Sequence, residues 1–418
     1  MRKGVALLFF QFICFSIFSQ DINYARKIID TLTSPYFAGR GAVDDGEKKA
    51  AKFISNHFKK SGLQPVDTSF FQEFDAPINT FPNKMEVAVD CGLMAPGIDF
   101  IVDAASGSVN GVFELFFYKK DEPLSKKALD EKIEEGFFTN KFIVLEIKNS
   151  EEENDITKAL KHNNVNAAGI IFIESKLTQH LSYVSKNYPI LHLKKGVLTN
   201  ASKSISVKID QELKSDYKSQ NVIGLVKGTE YPDSFIVLSA HYDHLGKMGD
   251  EIYFPGANDN ASGVSMLLDL AKYYVQNPPK KSILFIAFGA EESGLVGSKY
   301  FVNNPSVSLG QINFVFNMDL MGTGSEGGMI VNGRIYESHF EKLTQINSQN
   351  NYLSIIKKRG KAANSDHYWF SEKGVPSFFL YLMGGVSAYH DVDDVSETLP
   401  LTKYNESFRL IHRFVDEL

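Results

Sequence analysis

The chain has 418 residues, which is enough for a large hydrophobic core and more than one folding unit. A hydrophobic fraction of 43% and a charged fraction of 22% are ordinary for a soluble globular protein. The formal net charge of -6 argues against a nucleic-acid partner, because such partners are bound by basic surfaces.

The first twenty residues have the pattern of a secretory signal peptide. Arg2 and Lys3 precede an apolar run over residues 5–18, and a polar sequence follows. The run is short for a membrane span, so an N-terminal anchor helix is the less favoured alternative. We therefore predict that residues 1–20 are removed, that the product is periplasmic or extracellular, and that no stable membrane span remains.

Removal of this segment leaves Cys91 as the only cysteine. The mature chain therefore has no internal disulfide, although the compartment would allow one. We interpret Cys91 as a small apolar residue buried in the core.

Two helices are predicted before residue 83. Residues 22–33 have helical spacing, and residues 45–61 form a strongly amphipathic helix that ends at Gly62. From residue 84 to 214 the sequence changes to short β-rich runs with lysine-rich connections, and three histidines there are scattered. They are interpreted as ordinary surface or packed residues: His162, His180 and His192. Residues 84–214 are predicted to form an inserted domain with a structural, substrate-shaping or docking role.

Strands alternate with helices from residue 219 onward. Strands are predicted at 221–228, 234–240, 282–289, 312–319 and 375–382, and helices at 261–276, about 292–302 and 402–418. This alternation predicts an α/β fold with a mostly parallel central sheet covered by helices. The catalytic domain would be discontinuous and comprise residues 21–83 and 215–418.

Histidines and acids follow three of these strands directly. His241 follows the strand at 234–240, Glu291 and Glu292 follow 282–289, and Asp319 ends 312–319. In open α/β sheets, ligands bind at the carboxyl ends of the strands. The sequence therefore predicts one site at this edge, joined by Asp259 at a helix start and His390 in "SAYHDVDD".

These residue types fit a hydrolytic zinc site. Imidazole and carboxylate ligands without thiolate suit zinc, and two ions need two histidines, two terminal carboxylates and one bridging carboxylate. The chain supplies that set with His241, Asp259, Glu292, Asp319 and His390. Glu291 is left over and is the natural general base beside an activated water.

Other polar residues nearby have less direct roles. His244 is a less favoured alternative to His241 as a ligand, because the residue directly after the strand is better placed. Asp366 and His367 in "NSDHYWF" are expected near the site in a packing or supporting role, and Trp369 in the core. Three further acids are interpreted as turn and capping residues: Asp391, Asp393 and Asp394.

The motifs "HYDH", "GANDNASG", "FGAEESGLVGS", "NMDLMG" and "YHDVDD" resemble those of the co-catalytic two-zinc aminopeptidase family, which includes glutamate carboxypeptidase II and the glutaminyl cyclases. The resemblance covers residues 22–75 and about 219–418. It implies a central sheet of the zinc-exopeptidase (phosphorylase/hydrolase-like) type. The block at 84–214 more loosely resembles a protease-associated domain.

The resemblance also implies a role for each residue. Asp259 bridges two zinc ions, His241 and Asp319 complete one site, and Glu292 and His390 complete the other. Glu291 acts as general base and then general acid. Asp243 orients His241, and the Tyr389 hydroxyl stabilises the developing oxyanion. The family often has aspartate after the bridging residue, across a cis peptide bond. Here Asn260 follows instead, so the sequence does not decide whether this peptide bond is cis or trans.

The leading functional prediction is an exported aminopeptidase that acts on peptides. Alternatives on the same scaffold are a glutaminyl cyclase, which would use one zinc ion, or a carboxypeptidase or dipeptidase. A non-catalytic binding protein is a third class of function, disfavoured because all the expected ligands are present. The preferred N-terminal residue and the oligomeric state are left open by the sequence.

Overall fold

The structure is a computed structural model that describes residues 22–119, 124–146 and 154–418. The predicted signal peptide, residues 1–20, lies outside these ranges. None of the helices in the described ranges combines the length and the apolar character that crossing a bilayer requires.

Helices and strands are numbered in chain order. The α-helices of the described residues are α1 (Ile22–Leu32), α2 (Gly46–Ser61), α3 (Lys126–Glu134), α4 (Asp155–Lys161), α5 (Gly263–Gln276), α6 (Val296–Asn303), α7 (Glu337–Asn350), α8 (His367–Glu372) and α9 (Tyr404–Asp416). The strands are β1 (Phe71–Asp75), β2 (Ile78–Thr80), β3 (Glu86–Val89), β4 (Gly92–Leu93), β5 (Phe100–Val102), β6 (Val109–Phe117), β7 (Lys141–Leu145), β8 (Gly169–Glu174), β9 (Ile190–Lys194), β10 (Ser204–Ile209), β11 (Glu212–Lys214), β12 (Lys218–Val226), β13 (Tyr231–His241), β14 (Lys247–Met248), β15 (Ile252–Tyr253), β16 (Lys281–Phe288), β17 (Ile312–Met318), β18 (Gly328–Val331), β19 (Ile356–Lys358) and β20 (Ser377–Leu382).

The larger part of the protein is built on an eight-stranded sheet in the order β1-β12-β16-β13-β17-β20-β18-β19. The four central strands, β16, β13, β17 and β20, are mutually parallel, whereas β12 and β18 join them in antiparallel fashion. The predicted mostly parallel sheet is therefore present. Its four parallel strands end at one common edge.

Both faces of this sheet are covered, which explains why its central strands read as continuous apolar runs. Alternate residues of β13 point to opposite sides: Leu238 belongs to the core cluster that includes α1, α2, α5 and α9. Val237 belongs to the cluster on the other face, with Phe301 of α6 and Phe370 of α8. A strand buried on both faces fixes its register, since a shift of one residue exchanges the two sets of side chains.

Helix α2 agrees closely with its prediction. Ala50, Ile54 and Phe58 are fully buried on its inner face. Gly62 ends the helix with φ 99°, and its N–H reaches the Phe58 carbonyl at 3.1 Å. A left-handed residue of this kind is the usual helix C-terminus, and glycine adopts it without steric cost.

A second eight-stranded sheet, in the order β4-β3-β10-β6-β7-β8-β9-β5, is formed by residues 86–209. One face has an apolar cluster confined to this region, which includes Leu129, Phe138 and Ile143. The cluster on the other face, which includes Phe100, also contains Leu245, Met248 and Phe254 from the segment after β13. The short pair β2–β11 joins the chain where it enters and leaves this region. The sheet falls within the predicted insertion at 84–214.

Cys91 is exposed, so the expectation of a buried cysteine was wrong. Asp90 and Cys91 lie in the turn between β3 and β4, and both have positive φ, 45° and 74°. A two-residue hairpin turn with this backbone directs its side chains into solvent.

Helix α6 begins four residues later than predicted, at Val296. Glu291 and Glu292 precede it in a turn, and their backbone N–H groups donate to the Asp243 carboxylate at 3.1 Å each. Leu295 has φ 59°, which interrupts helical geometry just before Val296. Strand β18 and helix α7 are among the elements that were not predicted: β18 has only four residues, and α7 is mostly polar, with Phe340, Leu343 and Ile346 as its buried residues.

Candidate metal centre

Each of the four central parallel strands delivers a predicted ligand to the same sheet edge. His241 is the last residue of β13, Asp319 directly follows β17, and Glu292 lies four residues beyond β16. His390 lies in the loop after β20. Asp259 comes from the turn Ala257–Ser262 that leads into α5. The structure thus brings together all five residues that the sequence proposed as ligands.

Asp259 occupies the centre of this group. Its Oδ1 lies 3.2 Å from His241 Nε2, and its Oδ2 lies 3.2 Å from His390 Nε2. Asp319 Oδ2 lies 3.3 Å from His241 Nε2, and Glu292 Oε2 lies 3.2 Å from His390 Nε2. One carboxylate therefore faces two imidazoles, and each imidazole has a second carboxylate of its own.

These separations fit zinc ligands. Zinc binds histidine nitrogen and carboxylate oxygen at ~2.0–2.1 Å in a tetrahedral arrangement, for which neighbouring ligand atoms lie about 3.3 Å apart. Asp319 Oδ1 is buried and has no hydrogen-bond partner among the described residues. Among the described residues, three groups are close enough to hold an ion: His241 with Asp259 and Asp319, His244 with Asp259 and Glu292, and His241 with Glu291 and Glu292.

Both imidazoles are oriented by backbone carbonyls. His241 Nδ1 lies 3.2 Å from the Asp243 carbonyl oxygen, and His390 Nδ1 lies 3.0 Å from the Gln179 carbonyl oxygen. A carbonyl oxygen only accepts, so each ring donates through Nδ1 and leaves the Nε2 lone pair free for a metal ion.

Asp243 contributes more than the predicted orientation of His241. Its carboxylate is 3.7 Å from His241 Nδ1, and it accepts the backbone N–H groups of Glu291 and Glu292 instead. One residue thus sets both the first histidine and the turn that carries the two glutamates.

The ligands perturb one another strongly because they are buried together. Burial alone would lower the pKa of His390, but Glu292 and Asp259 outweigh it and raise the pKa to about 11. Burial and Asp259 alone would raise the pKa of Glu292, but His390 and His244 lower it to about 2. Three carboxylates thus face two imidazoles, and this excess of negative charge gives the site a strong electrostatic affinity for cations.

Glu291 differs from the ligands. Burial raises its pKa well above the ordinary value, and the neighbouring charges of Glu292 and Asp366 raise it further against the opposing effect of His241. Asp366 is fully buried, and burial raises its pKa to about 7. A carboxylate with a raised pKa that borders the ligands is suited to take up and release a proton.

Tyr389 lines the cavity beside the ligands. Its ring stacks on that of His390 with centroids 4.0 Å apart, and 44% of the residue is exposed. Burial and the surrounding acids raise the pKa of its hydroxyl, so the group stays protonated and able to donate.

Residues 221–415 match the sequence profile of Peptidase family M28. These residues belong to peptidase family M28. The match confirms the family that the motifs indicated and the prediction of an enzyme of the peptidase class.

Two similar proteins agree with this assignment. Aminopeptidase YwaD of Bacillus subtilis (strain 168) is 29% identical over 381 residues, which cover 82% of this chain and 71% of the relative. A probable zinc metalloprotease of Pyricularia oryzae is 38% identical over 114 residues, 26% of this chain and 23% of the relative.

Two solved structures share the fold of the whole described chain. A zinc aminopeptidase from Bacillus subtilis, BSAP, has a TM-score of 0.73 at 23% identity and covers 95% of both chains. A Peptidase M28 precursor from Shewanella amazonensis SB2B has a TM-score of 0.72 at 17% identity, over 95% of this chain and 93% of that one. The predicted fold class is thereby confirmed.

Arg40 is a residue of the M28 site that the sequence analysis missed. It is fully buried, and burial lowers its pKa to about 10. Its guanidinium donates to five backbone carbonyls, those of Leu32, Tyr242, Pro255, Gly256 and Asp259, at 2.6–3.2 Å. Gly256 is required beside it, because a Cβ there would lie 2.1 Å from the Asp259 carbonyl oxygen. The only sequence feature that pointed to Arg40 was its place in "LTSPYFAGRG", residues 32–41, within the N-terminal stretch that resembles the family.

His244 and Asp394 also support ligands. His244 Nδ1 lies 2.7 Å from Glu292 Oε1, opposite the oxygen that faces His390. The Asp394 carboxylate accepts the N–H groups of Asn258 and Asp259 at 2.9 and 3.0 Å. Asp394 therefore caps the turn that presents the central acid, as expected for a capping residue. The peptide bond between Asp259 and Asn260 is cis, which the sequence had left open.

A cavity of about 200 Å³ opens onto this M28 site. Besides the ligands, Glu291 and Tyr389, it is lined by Leu320, Arg359, Asn364, Phe379 and Tyr381. His367 does not line it: the ring is buried against Phe379, with centroids 5.5 Å apart, and burial lowers its pKa to about 3. His367 is therefore a packing residue.

Proposed function

We propose that this protein is an exported zinc aminopeptidase that uses two metal ions. The observation that carries the proposal is the placement of Asp259 between His241 and His390, with Asp319 and Glu292 completing two separate ligand sets. The aminopeptidase activity named for the Bacillus subtilis relative supports the reaction type.

Two zinc ions held by these five residues would supply Lewis-acid chemistry that lowers the pKa of a bound water and polarises the scissile carbonyl. Glu291 would accept the proton of the attacking water and pass it to the leaving amine. Its raised pKa suits it to both steps. The Tyr389 hydroxyl, kept protonated by its surroundings, would donate to the developing oxyanion.

The cavity supports action at a chain end. Its volume of about 200 Å³ is below the ~300–1,000 Å³ of pockets that enclose drug-sized ligands. A space of this size would accept about one side chain, as expected for removal of a terminal residue. The acids that line it would attract the protonated α-amine of a peptide substrate.

The proposal also covers the protein's location outside the cytoplasm and its domain organisation. The pattern of residues 1–20 supports export to the periplasm or the extracellular space. The apolar cluster that lies wholly within the second sheet's region supports an inserted, protease-associated-like domain at 84–214 within a catalytic domain of 21–83 and 215–418. Peptides are the proposed partners, with no nucleic acid.

The test is hydrolysis of aminoacyl p-nitroanilides and short peptides by purified protein whose metal content has been measured. We expect close to two zinc ions per chain, release of N-terminal residues, no cleavage of the same peptides after N-acetylation, and loss of activity with a chelator. Cleavage of N-acetylated peptides at the carboxyl end would instead identify a carboxypeptidase. One zinc ion per chain, with cyclisation of a peptide that begins with Gln, would identify a cyclase. No metal and no hydrolysis after zinc addition would identify a binding protein.

A further inference from the structure

A segment of the second sheet reaches the metal centre. Residues 176–180, between β8 and β9, lie against the loop at 383–391 that follows β20 and carries Tyr389 and His390. Gln179 N–H donates to the His390 carbonyl at 2.9 Å, and His390 Nδ1 donates back to the Gln179 carbonyl at 3.0 Å. The ring of His180 packs edge-on against that of His390, with centroids 5.4 Å apart.

This contact makes the two histidine ligands unequal. His241 is oriented by the carbonyl of Asp243, only two residues away in the same strand-end turn. His390 is oriented by a carbonyl 211 residues away, in the other sheet. The position of one imidazole is therefore local, whereas that of the other depends on how the two sheets meet.

Lys176 strengthens the contact from the same segment. Its Nζ donates to the carbonyls of Ser387 and Tyr389 at 3.0 and 3.3 Å and pairs with Asp391 Oδ2 at 2.9 Å. These three acceptors lie on both sides of His390 in the chain. A single cation thus holds the loop on either side of the ligand.

The loop needs such support. His390 has φ 54°, a left-handed conformation that is unfavourable for a residue with a Cβ and is kept only when surrounding contacts impose it. Gln179 is itself fixed, since its side chain is buried and donates from Nε2 to the Val102 carbonyl of β5 at 3.1 Å. Residues 176–180 are therefore held in place independently of the loop at 383–391 that they contact.

We propose that Lys176 and Gln179, from the second sheet, are positioning residues that set His390 and Tyr389 in their working geometry. Neither side chain touches the reacting atoms. The inserted region then has a defined purpose: it completes the ion site formed by Glu292 and His390, while the site formed by His241 and Asp319 does not depend on it. This proposal rests on the proposed function.

The test compares Lys176→Met, Lys176→Arg and Gln179→Ala with wild type, and uses Lys195→Met as a control. Lys195 pairs with Glu146 at 2.5 Å on the same sheet, away from the loop. Three quantities are measured: hydrogen exchange of residues 383–391 in metal-free protein, zinc affinity of each site by competition with a chelator, and kcat and KM.

Lys176→Met removes the cation that holds the loop, and Gln179→Ala removes the side-chain bond to Val102 that fixes the backbone supporting His390. We expect both variants to speed exchange in the loop and to weaken one of the two zinc ions by ~10- to 100-fold, the usual cost of disturbing an outer partner of a ligand. We expect kcat to fall more than KM changes, Lys176→Arg to recover most of the loss, and Lys195→Met to match wild type. Because Lys176 is half exposed, its variants should fold even if Gln179→Ala does not.

Wild-type exchange and zinc affinity in both variants would overturn the proposal, and so would equal weakening of both ions. Wild-type protein that binds fewer than two ions would contradict the proposed function instead. In that case the exchange comparison still decides whether Lys176 and Gln179 hold the loop.

Discussion

The carboxylate of Asp394 accepts the backbone N–H of Asp259 at 3.0 Å. A residue near the end of the chain therefore holds the central acid of the metal centre between its two imidazoles. Asp394 is almost fully buried, and burial raises its pKa to about 6.

Replacement of Asp394 by Ala should weaken metal binding by ~10- to 100-fold, because Asp259 loses the contact that fixes its backbone. Asp394→Asn keeps one accepting oxygen, so its zinc affinity should lie between those of wild type and Asp394→Ala. Zinc affinity measured by chelator competition checks this. The exposed neighbour Asp393 provides a matched control as Asp393→Ala, and equal affinities for the two alanine variants would contradict the role.

Glu291→Gln should lower kcat by ~10²- to 10⁴-fold with both ions retained, because the amide keeps the shape of the carboxylate but cannot accept the proton. Steady-state kinetics with a parallel metal analysis make the measurement. Glu341→Gln, at an exposed position of α7, should leave kcat unchanged. Near-normal turnover of Glu291→Gln with metals bound would exclude the general-base role.

Arg40→Met should reduce the free energy of unfolding by at least about 3 kcal/mol, because the buried carbonyls that accept hydrogen bonds from Arg40 would lose their donor. Arg40→Lys keeps the charge but offers fewer donors, and should lose less. Urea unfolding of metal-free protein measures the effect.

The exposed Arg409 of α9 is the control for this change. Arg409→Met should stay within about 0.5 kcal/mol of wild type, as is usual for surface substitutions. A similarly small change in Arg40→Met would mean that other donors or water replace the guanidinium.

Glu47 should make stability depend on pH in the neutral range. It is buried beneath the site, where it accepts the Tyr217 hydroxyl at 2.6 Å, and burial, together with Asp243, raises its pKa from 4.5 to about 7. The folded state therefore holds this proton more tightly than the unfolded state. This tighter proton binding stabilises the folded state fully below pH 4.5, and the stabilisation is lost as the pH rises toward 7.

Wild type should accordingly lose on the order of 1–3 kcal/mol relative to Glu47→Gln between pH 4.5 and 7. Urea unfolding of both proteins across this range measures the difference, because most other titrating groups contribute equally to the two stability curves. Parallel stability curves would show that Glu47 titrates normally in the folded protein.

Much of the catalytic half could be predicted because its signals are local. The apolar runs of β13, β16, β17 and β20 set the sheet, and a parallel sheet brings the carboxyl ends of these strands to one edge. His241, Asp319 and Glu292 lie at or just after those ends, so their convergence follows from strand order and direction alone.

Other features had no local signal. The late start of α6 depends on Asp243 binding the N–H groups of Glu291 and Glu292, a contact that no periodicity reveals. Cys91 is apolar by residue type, but the backbone of its turn places it in solvent.

The sequence by itself determined which side chains carry the chemistry, because metal ligands must be specific residue types and these stand at recognisable strand ends. Only the tertiary structure decided how those side chains are held. Arg40 and Gln179 act through backbone carbonyls, which every residue possesses, and across separations of about two hundred residues. Such contacts leave no pattern of residue type or spacing, and they exist only once the two sheets and the N-terminal segment have packed together.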